Sequence, residues 1–164
     1  MLGNFARGLV QIAIAAFVLA GCDFTYGPNQ LKPGASIDDV RRQMGAATDE
    51  KRNPDGTRVW WYVRGPQGFH TYKIIFDKDE RVVTITQVLT EQNFRNIVAD
   101  KTTKEDLLEL LGRPRETMTY PNRQEEVWTW RYQDGTFNKY LHVSMNLSGV
   151  VRAYTTENES TSPP

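Results

Sequence analysis

Only a few residues in this chain have side chains suited to chemistry. Cys22 is the sole cysteine among 164 residues. It therefore has no intrachain disulfide partner, and if its thiol carries an acyl group it is not available as a nucleophile. The two histidines, His70 and His142, are far apart and fit no metal-ligand spacing such as H-E-x-x-H. Each reads as a half-exposed strand histidine. Asp77-x-Asp79 lacks the glycine and distal glutamate of a calcium loop and reads as a plain turn. No G-x-S-x-G nucleophile elbow occurs. The residues thus imply no catalytic set, no metal and no cofactor. An enzyme built on scattered carboxylates stays open only as a third choice, because a sequence does not reveal a cluster of acids.

The setting of Cys22 is more informative. It follows Leu19-Ala20-Gly21, at the end of an apolar run over 8–21 that is preceded by the single charge Arg7. A membrane-spanning helix needs about 20 apolar residues, so the run is too short to span and ends in small residues suited to a peptidase. The stretch resembles the lipobox of bacterial lipoproteins. That resemblance implies a signal peptide over 1–21, a lipid on Cys22, and a membrane anchor of several acyl chains. Each buried CH₂ contributes about 0.8 kcal/mol. Asp23 resembles the signal that retains enterobacterial lipoproteins in the inner membrane.

Such a chemistry needs a tether and a folded part. Residues 22–32 carry Gly27, Pro28 and Asn29 without periodicity and read as the tether. Fully extended, it reaches at most ~35–40 Å. The tail 158–164 is rich in Ser, Thr and Pro and reads as flexible. Acids and bases balance at 20 each, with no basic block. Nucleic-acid binding, which requires clustered Lys and Arg, has no support.

Between tether and tail one unit is written twice, over about 33–90 and 91–157. Ser36-Ile37-Asp38-Asp39 and Thr103-Lys104-Glu105-Asp106 each place a hydroxyl at a helix N-cap and acids in the first turn. Asp in place of Glu or Gln predicts an incomplete capping box. Ile37, Val40 and Met44 share one helical face, as do Leu107, Leu108 and Leu111. Gly45 and Gly112 stop the helices, where a left-handed residue is expected. Polar loops follow, then three strand-like runs per unit: 59–63, 69–76 and 81–89, then 127–132, 139–146 and 150–155. Tyr72, Ile74 and Phe76 alternate on one face and match Leu141, Val143 and Met145. Phe94, Ile97 and Val98 predict a short connecting helix. The expected fold class is α+β: tandem helix-helix-β-meander units, with helices packed on an antiparallel sheet in two layers.

Gly34-Ala35-Ser36, Val40, Met44-Gly45, Trp60-Trp61-Tyr62, Phe76-Asp77 and Val82 resemble the SmpA/OmlA lipoprotein family, the BamE-like domain. Leu111-Gly112-Arg113-Pro114, Trp128-Thr129-Trp130 and Gly149-Val150-Val151 resemble it in the second unit. The resemblance implies a lipoprotein in outer-membrane protein assembly or envelope maintenance, partnered by an envelope protein such as the β-barrel assembly machinery. It implies outer-membrane residence, whereas Asp23 points to the inner membrane. The duplicated architecture also resembles β-lactamase-inhibitor proteins, which implies, as an alternative, inhibition of a periplasmic or extracellular enzyme.

The residues named for a partner are Trp60, Trp61, Tyr62, Trp128, Trp130 and Tyr132, with Arg64 and Arg131 as a polar rim. Adjacent strand residues point to opposite faces. One of Trp60 and Trp61 is therefore exposed unless something covers it, and the repeat offset leaves open which.

Overall fold

The computed structural model describes residues 28–64 and 68–159, with the side chain of Arg64 excepted. Cys22 and Asp23, and the signal-peptide reading with them, lie outside the described residues.

Each repeat starts at a complete capping box. The Ser36 hydroxyl accepts from the Asp39 N–H at 3.2 Å, and the Asp39 carboxylate accepts from the Ser36 N–H at 3.1 Å. Thr103 and Asp106 make the same two bonds at 3.2 and 2.9 Å. Asp closes the box that the sequence pattern left incomplete. The Ser36 hydroxyl, with help from Arg42, holds the Asp39 carboxyl down at about 2. These caps open α1 (Ile37–Met44) and, in the second repeat, its counterpart over Lys104–Leu111. Both helices end at a glycine with φ +74°, and ψ is −157° at Gly45 and −171° at Gly112. This is not the left-handed helical conformation expected there. It is an extended one at positive φ that is essentially open to glycine alone.

The first repeat continues through β1 (Asp49–Arg52), β2 (Arg58–Arg64), β3 (His70–Phe76) and β4 (Val82–Gln87), an antiparallel meander in that order. A one-turn α2 (Glu91–Phe94) leads to α3, the Lys104–Leu111 helix. The second sheet follows as β5 (Glu116–Tyr120), β6 (Glu125–Asp134), β7 (Phe137–Asn146) and β8 (Val151–Asn158), again a meander. The duplication reaches fine detail. A bulge falls at Ile75/Phe76 and again at Ser144/Met145. The N-caps pair with the entry to the last strand in both units, Ser36 with Arg81 and Thr103 with Val150.

The expected α+β class of helices layered on a sheet is overturned: the fold is sheet-dominated. Two four-stranded antiparallel sheets carry the structure, with three short helices among the described residues. Two reasons are physical. The segments read as polar loops form β1 and β5, widening each meander by a strand. And a helix of eight residues is only about 12 Å long, too short to cover a four-stranded sheet whose strands stand about 4.8 Å apart.

Two cores result. Ile37, Val40 and Met44 of α1 pack on Trp60, Tyr62, Ile74 and Phe76, the inner face of sheet 1. Leu107 and Leu111 of α3, with Phe94 and Ile97, pack on Trp128, Trp130, Tyr132, Leu141, Val143 and Met145, the inner face of sheet 2. Val98, expected on the connecting helix's buried face, is exposed. The units are stacked through α3. One side of α3 lies on sheet 2, while Glu109 and Gly112 meet the outer face of sheet 1.

Candidate interaction surface

The six aromatics singled out from the sequence are all buried, none more than 8% exposed. Even-numbered positions point inward in both units, so Trp128 answers to Trp60 and Trp130 to Tyr62. Trp60 meets Phe76 edge-on at 4.9 Å, and Phe94 meets Tyr132 the same way. The polar ends close on the helix stops: Tyr62 donates to the Gly45 carbonyl at 3.2 Å and Trp130 to the Gly112 carbonyl at 3.1 Å. Tyr132 donates to Glu91 at 3.1 Å. Burial, and then that carboxylate, push its phenol up to about 12. Packing therefore removes Trp60, Tyr62, Trp128, Trp130 and Tyr132 from any contact surface.

Trp61 points the other way, to the outer face of sheet 1, and is covered there by the second unit. A Cβ built on Gly112 would lie 3.2 Å from its ring and 3.1 Å from Thr71. Around it runs a ring of ion pairs between units. Glu109 of α3 takes Lys51 and Lys73, each at 2.8 Å, and Arg113 takes Asp49 at 2.6 Å. Burial raises the Glu109 carboxyl, but the hydrogen bonds from Lys51 and Lys73 outweigh it and hold the group below its usual value. A cleft of about 330 Å³ between Trp61, Lys51, Leu108 and Arg113 marks this seam.

Arg131 belongs to the outer face of sheet 2, but its side chain is only 12% exposed. It pairs with Glu159 and stacks 4.2 Å over Phe69. It anchors the loop and tail rather than rimming an aromatic patch. Arg64 closes β2, opposite His70.

The surface that remains was not singled out in the sequence. Registers place Met118 and Tyr120 of β5, Val127 and Thr129 of β6, His142 and Ser144 of β7, and Ala153 and Thr155 of β8 on one outer face. No described helix packs there. Met118 is 45% exposed and Tyr120 36%. Small Ser144 and Ala153 beside large Tyr120 and Val127 leave a trough of about 280 Å³. Arg123, Glu125 and His142 supply its polar rim. Thr129, His142 and Glu157 form a chain, with the hydroxyl 3.0 Å and the carboxylate 3.1 Å from the two ring nitrogens. It has the composition of a nucleophile–base–acid set. However, the Thr129 hydroxyl sits on a buried residue, out of reach of a substrate. The chain is better read as cross-strand bonding. One signal could have exposed this face: Thr117, Met118, Thr119 and Tyr120 alternate with strand period and β propensity inside what read as a polar loop.

No protein-family model matches the chain, and no curated protein matches its sequence. The resemblance to SmpA/OmlA lipoproteins therefore rests on the quoted residues alone. Two solved structures are similar to it. One is a DUF4309-family protein from Bacillus subtilis, at 17% identity and TM-score 0.30, covering 76% of this chain and 79% of that one. The other is a candidate β-lactamase inhibitor protein from Streptococcus mutans, at 11% identity and TM-score 0.32, covering 80% and 87%. Likenesses this slight carry no function across.

Proposed function

We propose that this chain is a non-enzymatic interaction lipoprotein of the bacterial envelope. It is tethered through a lipid on Cys22, faces the periplasm, and binds a protein partner in outer-membrane protein assembly or envelope maintenance. The observation that supports binding is the outer face of sheet 2, where no described helix packs: Tyr120 lines a trough with a polar rim, and exposed Met118 lies on the same face opposite Val127. Exposed aromatic and methionine side chains in a shallow concavity are the usual anchors of a partner. The tether rests on the lipobox-like stretch.

Two measurements test the reading. Density-gradient separation of the membranes should recover the protein with membrane, and Cys22→Ala should be soluble or uncleaved; membrane attachment and fatty-acid labelling that both stay unchanged in that variant defeat the lipid tether. A photo-crosslinking side chain at Met118 should capture one protein, and the same group at exposed Val83 should not. Equal capture at both positions defeats the assignment of the face. If the captured protein is an enzyme that loses activity on binding, the inhibitor reading replaces the assembly one.

A further inference from the structure

The two repeats treat equivalent sheet edges differently. β1 and β5 are the first strands of their sheets, and each has one neighbour only. β1 reads Asp49-Glu50-Lys51-Arg52, charged at every position. Charged side chains are a standard guard against unwanted strand pairing. β5 reads Glu116-Thr117-Met118-Thr119-Tyr120, is exposed at every position, and has one charge. It has strong β propensity and no lysine, proline or bulge within it. Among the described residues, no backbone group outside sheet 2 bonds to Glu116–Tyr120. One copy of the edge is guarded and the other is bare.

We propose that β5 accepts an extended segment of a protein partner as a fifth strand of sheet 2. This rests on the reading of the chain as an interaction module and names how that face is used. The side chains fix the partner's chemistry. Met118 and Tyr120 lie on the outer face, and Thr117 and Thr119 on the other. A strand laid beside them is served by alternating apolar and polar residues. Glu116 carries the one charge of the edge and has no partner among the described residues. A lysine or arginine opposite it completes the match.

The tether favours a protein segment over the bilayer as occupant. Leu31 packs into the core beneath α1, so the chain enters on the side of unit 1. From Cys22 to Pro28 it extends at most ~20 Å. The bare edge belongs to the other unit, across sheet 1 and α3 from that entry.

The test uses the mature lipidated chain in detergent and a short synthetic peptide of alternating valine and threonine with a terminal lysine. A control peptide carries proline at alternate positions. Binding of the first should slow backbone hydrogen exchange across Glu116–Tyr120 and leave Asp49–Arg52 unchanged. Thr119→Lys, which guards the edge while leaving Met118 in place, should weaken binding by about tenfold or more. Far-ultraviolet circular dichroism should confirm that this exposed variant is folded. Equal protection at both edges, equal binding of the proline peptide, or unaltered affinity in Thr119→Lys overturns strand addition. Crosslinking from Met118 that survives such a result leaves the interaction reading standing and moves the contact to the trough. Loss of both defeats both.

Discussion

Glu109 shows how much can hang on one side chain. It is the only carboxylate bonded to two lysines of the other unit among the described residues. Lys73, the more buried of the two, also donates to the Glu109 backbone carbonyl at 2.9 Å. The native carboxyl titrates below its unfolded value of 4.5. A depressed native value means that the stabilisation is fully present above the unfolded value and is lost as pH falls through the native one. The pair is partly exposed, so solvent screening limits its worth to roughly 1 kcal/mol. Glu109→Gln should therefore cost about that much at pH 7 and progressively less as pH falls below 4.5. The urea midpoint measured against pH should be flatter for the variant below pH 4.5. Parallel curves for variant and wild type would show that the pairs add nothing. Asp39 and Asp106, also held low by their caps, titrate in both proteins and cancel in the comparison.

Elements divide into those the sequence announces and those it hides. Capping hydroxyls, terminal glycines and the alternation of Ile74 and Phe76 name the main helices and the central strands, because each is a local signal. β1 is hidden because it is charged at every position and buries almost nothing, which leaves no hydrophobic period to read; β5 buries nothing either, and its short alternation sits inside a polar stretch. The aromatic residues failed as candidates for a related reason. Their density in β2 and β6 marks a core, and only the register settles which face each takes. Beyond the alternation in β5, the outer face of sheet 2 was illegible because it is defined by residues from four strands together. The two kinds of position should separate in the laboratory. Trp130→Ala removes a ring that is 1% exposed and should cost about 3–5 kcal/mol. Met118→Ala should change stability by less than about 0.5 kcal/mol while weakening binding of the partner. A large stability loss at Met118 would place it in a core and remove it from the binding surface.

At the scale of the whole molecule, the repeats are a duplication that no longer consists of two independent copies. The outer face of sheet 1 carries Val59, Trp61 and Thr71, all buried, and the Trp61 and Thr71 contacts at Gly112 come from the second unit. Sheet 2 borrows less in return: on its outer face Phe69 of unit 1 stacks on Arg131, while Met118 and Tyr120 stay exposed. The coupling is thus asymmetric: unit 1 depends on α3, whereas unit 2 carries α3 in its own core. Small chains whose parts cover each other's buried surface unfold in a single step. Tryptophan fluorescence and far-ultraviolet circular dichroism should therefore report one coincident urea transition. Gly112→Ala puts a Cβ about 3 Å from Trp61 and Thr71 on a backbone conformation that costs about 1–3 kcal/mol for other residues. It strains the junction while leaving both inner cores intact. The variant should lose roughly 2–4 kcal/mol, and the loss should fall first on unit 1. Its fluorescence and circular dichroism transitions should part, with the indole signal of Trp61 changing at lower urea. A single transition, shifted but still coincident, would mean that the two sheets are bound together by more than this seam.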